Sequence, residues 1–224
     1  IRIDDTGAPG DPYEDFLAGG STDHLEHPVL DEEQTISINY TSGTTGRPKG
    51  VMYTHRGAYL NALMEALESH LRPESVLLWV VPMFHCNGWC FTWAVTAMGA
   101  RHVCLRKVDP AAIWELLGRE GITHYNGAPT VHLDVVTHPA AHRLQRGLTV
   151  TIGGAPPSPT LLARTVALNF KPVHVYGLTE TYGPATTNEW RAAWDALSPA
   201  EQAAKKARQG VRYVPLEALD VRHP

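Results

Sequence analysis

The sequence predicts an α/β fold, a parallel or mixed sheet flanked by helices. Three observations carry this. From residue 34 onward, strand-like runs alternate with helix-like runs of roughly 10–15 residues, the rhythm of strands joined by crossover helices. VLLWVV (76–81) is a continuous apolar run, as in a strand buried on both faces. LTVTIGG (148–154) is a β-branched run that stops on two glycines, a strand followed by a sharp turn.

The elements follow in order. Residues 1–33 are rich in Gly, Pro, Asp and Glu without a period, and read as an irregular lead-in to a core spanning 34–224. QTISINYT (34–41) alternates apolar and polar residues and reads as a strand, followed by a glycine-rich loop over 42–50. Thr54 is placed to cap a helix to about Leu71, with apolar residues at Tyr59, Leu60, Leu63, Met64 and Leu67. After the 76–81 strand, residues 88–98 read as a largely buried helix and RHVCL (101–105) as a strand. Pro110 opens a helix to about Arg119, as proline does at a first helical position. ITHY (122–125) is a strand, Pro129 starts a short helix, 148–154 is a strand, Pro159 to Asn169 a helix and PVHVYG (172–177) a strand. SPAEQAAKKAR (198–208) reads as a capped, charged surface helix, and VPLEALDVRHP (214–224) as a strand.

Composition narrows the function classes. The 224 residues carry a formal net charge of −4, so no global attraction to nucleic acid or an anionic membrane is expected. No apolar stretch approaches the roughly 20 residues needed to cross a bilayer. The acidic, turn-rich start is unlike a signal peptide. The odd count of cysteines, Cys86, Cys90 and Cys104, fits reduced thiols in the cytoplasm. With His85 and His102 they cluster in sequence, but the spacing matches no familiar zinc pattern, and packing is the expected role of these thiols.

The most informative segment is YTSGTTGRPKGV (40–51). Three glycines let the backbone curl with its amides inward, four hydroxyls line the curl and Lys49 adds a cation, which together suit a polyphosphate. The loop is expected between a strand and a helix. A Walker A loop is excluded because Pro48 stands where that motif needs its second glycine, and Gly50 follows the lysine in place of Ser or Thr.

YTSGTTGRPKG resembles the AMP-binding signature of the adenylate-forming superfamily, which includes acyl-CoA synthetases. Two further segments match in the expected order: VPMFHCNGW (81–89) is similar to the acyl-binding segment of fatty acyl-CoA synthetases, and VYGLTET (175–181) to the adenine- and magnesium-contacting segment. The turn Gly153-Gly154-Ala155-Pro156 between them fits as well. The resemblance covers residue 34 to the end and implies part of the large N-terminal domain of an enzyme that makes an acyl-adenylate from ATP and a carboxylic acid, then a CoA thioester. Medium- or long-chain fatty acids are the implied substrates.

The resemblance also implies roles. Thr41, Ser42, Gly43, Thr44, Thr45, Gly46 and Lys49 would wrap the β- and γ-phosphates. Thr41 and Glu180 would meet Mg2+, a hard ion that takes oxygen ligands. Thr179 would reach the α-phosphate, making Thr179, Glu180 and Lys49 the catalytic set. Gly154, Ala155, His174, Tyr176, Gly177 and Thr179 would hold adenine or the adenylate. His85, Cys86 and Trp89 would line the acyl site, Trp89 matching a tryptophan that gates the fatty-acyl tunnel in some members.

The family's ribose-binding aspartate and the lysine of its mobile C-terminal domain have no counterpart before Pro224. The chain is therefore expected to be the middle of a synthetase, inactive alone, with exposed apolar surface and a possible homodimer. An aryl-acid CoA ligase, and a nucleotide-binding or interaction module without catalysis, remain open as alternatives.

Overall fold

A computed structural model describes residues 12–24, 26, 28–43 and 46–222. The chain divides into two compact units, 1–32 and 33–224. In the first, α1 (Pro12–Ala18) is a seven-residue helix where the lead-in was expected to be irregular.

The second unit begins with a hairpin. β1 (Thr35–Thr41) pairs antiparallel with β2 (Lys49–Thr54), so the glycine loop is a hairpin turn and does not run into a helix. The sequence hid β2 because KGVMYT is short and starts on the loop's own lysine and glycine. α2 (His55–Glu68) follows, capped by Thr54, whose hydroxyl accepts from the Gly57 amide.

The main sheet has seven strands in the order β4-β3-β5-β6-β7-β8-β9. β3 (Val76–Trp79) leads into α3 (Cys86–Trp89), α4 (Phe91–Ala97) and β4 (Arg101–Cys104). α5 (Pro110–Arg119), β5 (His124–Gly127), α6 (Pro129–Thr137), β6 (Leu148–Ile152), α7 (Pro159–Ala167) and β7 (Phe170–Leu178) continue the alternation. These five strands, β3 to β7, are parallel. β8 (Gly183–Thr187) and β9 (Val211–Arg212) then add antiparallel, with α8 (Pro199–Lys206) between them. The sheet is thus mixed, and the strand expected over 214–224 does not form in the described residues up to 222.

Strand alternation divides the core. Leu77 and Trp79 face a cluster with Ala62, Phe91, Val95 and Val175, while Leu78 and Val80 face Ile113, Trp114, Tyr125 and Val150. Both faces are covered, as a parallel sheet requires. Not all apolar surface is buried: Tyr59, Leu63 and Leu67 form an exposed stripe on α2.

One buried carboxyl makes stability depend on pH. Glu65 of α2 is fully buried and hydrogen-bonded to the Tyr213 hydroxyl, and burial raises its pKa well above 4.5. Above pH 4.5 the unfolded chain ionises this group while the folded one keeps its proton, so its contribution to stability falls as pH rises. Glu65→Gln, which keeps a neutral hydrogen-bonding group, should flatten that decline in urea titrations from pH 5 to 9.

Candidate active site

The carboxyl ends of β6 and β7, where open α/β sheets bind ligands, frame a cavity of about 200 Å³. Gly153 and Gly154 enter it from the end of β6; Val175, Gly177, Leu178 and Thr179 enter from β7 and the turn that follows. Gly183 and Pro184 of β8 and His85, Cys86 and Trp89 of the α3 segment complete it. Three sequence-distant motifs are thereby brought together: His85, Cys86, Trp89, Gly154, Gly177 and Thr179 share one lining.

The α3 segment is not the start of an ordinary helix. Cys86, Asn87, Gly88, Trp89 and Cys90 have φ of 46°, 44°, 63°, 55° and 64°, one continuous left-handed turn. The right-handed helix begins only at Phe91, which corrects the expected start at 88. L-residues disfavour this conformation by roughly 1–2 kcal/mol each, glycine excepted. Tertiary bonds hold it: the Asn87 amide oxygen accepts from the Ser37 hydroxyl (2.6 Å) and from Asn39 Nδ2 (2.7 Å), and the Thr92 hydroxyl donates to the Asn87 carbonyl (2.9 Å). The Cys86 thiol meets the Thr179 hydroxyl at 3.2 Å. The Cys90 thiol donates to the Tyr182 carbonyl at 3.0 Å.

Thr179 and Glu180 ride on a 3₁₀ turn, Thr179–Thr181, closed by Tyr182 with φ of 63°. The Tyr53 hydroxyl donates to the Thr179 carbonyl (2.8 Å) and its ring stacks on Tyr182 at 4.1 Å. The Tyr182 hydroxyl accepts from the Thr54 amide (3.1 Å), and its carbonyl accepts from Asn61 Nδ2 (2.8 Å). The foot of the glycine-loop hairpin and the 3₁₀ turn are therefore one bonded unit. Burial raises the Tyr53 hydroxyl and Cys90 thiol above their ordinary ranges, so both keep the proton they donate.

The glycine loop is assembled separately from the cavity lining. Thr41 and Lys49 are partners in the last pair of the hairpin ladder, across its mouth. Gly43 has φ of +65°, and a Cβ there would strike the Arg47 carbonyl, so the turn requires glycine. Ser42, Gly46 and Lys49 are exposed and Thr41 half-buried; Thr44 and Thr45 lie outside the described residues. Glu180 and Ala155 are exposed and Tyr176 is 41% exposed; none lines the cavity. His174 is turned away from it. Its Nδ1 bonds the carbonyls of Ala207 and Arg208, both at 3.0 Å, and burial lowers its pKa. Its neighbour Val175 lines the cavity, and adjacent strand residues face opposite sides. His174 is therefore a brace under α8, on the side of β7 away from the cavity.

Sequence reasoning missed Cys90, Tyr182, Tyr53 and Asn87, which hold the site without lining it. Only Asn87-Gly88, an Asn-Gly dipeptide, carried a local signal of left-handed backbone. The Glu180 carboxylate and the Thr41 hydroxyl are oxygen donors of the kind Mg2+ takes, commonly one or two carboxylates plus substrate phosphates. Among the described residues no helix is long and apolar enough to cross a membrane.

Comparison with known proteins agrees with this geometry. Residues 3–218 match the family described as AMP-binding enzyme. The acetate–CoA ligase of Humulus lupulus is 44% identical over 212 residues, 93% of this chain and 37% of that protein. The 4-hydroxybutyrate–CoA ligase 2 of Metallosphaera sedula is 46% identical, again over 93% of this chain and 38% of the relative. Among solved structures, the inhibitor-bound N-terminal domain of FACL13 from Mycobacterium tuberculosis superposes with a TM-score of 0.75 at 26% identity, covering 90% of this chain and 48% of that one. The chain thus spans under two fifths of the length of these curated relatives.

Proposed function

The chain belongs to the AMP-binding enzyme family, and on that premise we propose that it is the ATP- and acid-binding core, residues 34–224, of a longer AMP-forming acid–CoA ligase. The observation that carries the reading is the single cavity that gathers His85, Cys86, Trp89, Gly154, Gly177 and Thr179 from three separate motifs.

In the proposed reaction the carboxylate oxygen attacks the α-phosphorus of ATP and pyrophosphate leaves. The CoA thiol then attacks the acyl carbon, and AMP leaves. Two anions must meet in the first step, so donors around the phosphates govern its rate. Lys49 supplies a cation at the hairpin mouth, and the amides and hydroxyls of 41–46 supply donors to the β- and γ-phosphates. Thr179 directs its hydroxyl at the α-phosphate, while Gly154, Ala155, Tyr176 and Gly177 admit adenine. Glu180 and Thr41 would hold Mg2+, which when bound neutralises phosphate charge. Free thiols at Cys86, Cys90 and Cys104 are in keeping with work in the cytoplasm.

The acid we propose is small. Trp89, 7% exposed, forms part of the cavity wall and narrows the room for the acid. The relatives named for acetate and 4-hydroxybutyrate support the same reading. A medium- or long-chain acid is the second reading, favoured by the match of Trp89 to a gating tryptophan; it requires the indole to swing aside.

Carboxylate-dependent ATP–pyrophosphate exchange tests both. The longer protein should exchange with acids of two to four carbons in preference to octanoate, palmitate and benzoate. Preference for palmitate would reverse the size assignment, and no exchange with any acid would remove the ligase reading. Lys49→Ala should weaken MgATP binding about 10- to 100-fold in calorimetry, the loss expected for a charged donor to phosphate.

A further inference from the structure

We propose that Cys86 and Cys90 are positioning residues, two thiols on one left-handed turn that clasp the two ends of the Thr179–Tyr182 turn. Cys86 holds the Thr179 hydroxyl at 3.2 Å and Cys90 holds the Tyr182 carbonyl at 3.0 Å. Residues four apart lie about one turn apart on a helix of either hand, so the two thiols emerge on the same side. The 3₁₀ turn they face is three residues long and is closed by a residue in the left-handed region. Within the turn the Tyr182 amide donates to the Thr179 carbonyl at 3.2 Å and Thr181 caps the Leu178 amide at 2.8 Å, but among these local bonds none restrains the Thr179 hydroxyl. Thiols at both ends fix its angle against the cavity.

The chemistry explains why thiols serve here. Both side chains are buried, at 5% and 0% exposure. The Cys90 thiol keeps its proton because burial disfavours the thiolate, so it can donate to a carbonyl that already accepts from Asn61. Cys86 faces a hydroxyl that must itself stay free to turn toward a phosphate. A soft partner able to donate or accept restrains that hydroxyl without competing strongly for it. Cys86 thereby has a different task from the acyl contact implied by the resemblance: it sets the direction of Thr179.

The inference rests on the reading that Thr179 meets the α-phosphate. Four variants of the longer protein test it: Cys86→Ala, Cys86→Ser, Cys90→Ala and Cys90→Ser. Cys86→Ala should lower kcat for ATP–pyrophosphate exchange about tenfold with KM for ATP within about twofold, and Cys86→Ser should recover most of the loss. Packing alone would give Ala and Ser variants the same kcat. A second readout does not need catalysis. Amide hydrogen exchange over 175–187 should quicken about tenfold in Cys90→Ala and return toward the parent rate in Cys90→Ser. If that exchange is unchanged in Cys90→Ala, the clasp is overturned whatever the catalytic result. If the parent shows no pyrophosphate exchange, the ligase reading fails and the hydrogen-exchange result alone decides the clasp.

Discussion

Gly177→Ala is expected to lower stability by about 3 kcal/mol, a fall in Tm of about 6–12 °C for a chain of this size, and to abolish the carboxylate-dependent exchange proposed for the longer protein. Gly177 pairs with Pro184 beside a register shift between Tyr176 and Gly177. A Cβ there would land on the Gly183 carbonyl and the Pro184 backbone. Backbone atoms cannot swing aside as a side chain does, so β7 and β8 must separate. Leu178, Thr179, Gly183 and Pro184, all lining the cavity, would move with them. Calorimetry on this chain and pyrophosphate exchange on the longer protein check the two halves. Gly118→Ala is the control: it sits within α5 with open space at the Cβ and should leave Tm unchanged or slightly higher. A Gly177→Ala protein with the parent Tm would mean that β8 yields without cost.

The second large effect is loss of stability in mild acid, on the order of 3 kcal/mol between pH 7 and pH 4 from His132 alone. His132 is fully buried behind the sheet. Its Nε2 faces the Thr151 carbonyl, which can only accept, so Nδ1 accepts from the Tyr125 hydroxyl at 3.0 Å. Burial lowers its pKa from 6.5 to about 4. A lowered histidine pKa means the unfolded chain takes up a proton that the folded chain refuses. The stabilisation is therefore complete above pH 6.5 and is lost as pH falls toward 4. His124 and His174, also lowered by burial, act in the same direction, and Glu65 acts in the opposite one. Urea midpoints at several pH values should show a slope over this window that His132→Gln reduces by about one proton. An unchanged slope would mean that His132 titrates normally in the folded chain.

Regular alternation made the parallel strands β3 to β7 legible in sequence, because continuous apolar runs and helix caps are local signals. β2 and β8 were not. KGVMYT is short and starts on Lys-Gly and GPATT on Gly-Pro, and both are strands because antiparallel partners, β1 and β7, supply the hydrogen bonds. The functional motifs were legible as strings, and nine of their residues line the cavity. The bonds of His174 to the α8 end were not legible, because a motif string does not say which face of a strand its residues take. Cys90, Tyr53 and Tyr182 were invisible for a different reason: their partners are 92 to 128 positions away in the chain.

The left-handed turn at 86–90 also has a bearing on the order of folding. Its conformation is uphill for an isolated segment, and its stabilising partners are 50, 93 and 92 residues distant. Closing such loops costs entropy before any contact returns it. The turn is consequently expected to form on the native side of the folding barrier, after β3 to β7 have paired. Substitutions within it leave the refolding rate nearly unchanged and show themselves as faster unfolding. A refolding chain is accordingly expected to regain its sheet earlier than the geometry of its cavity.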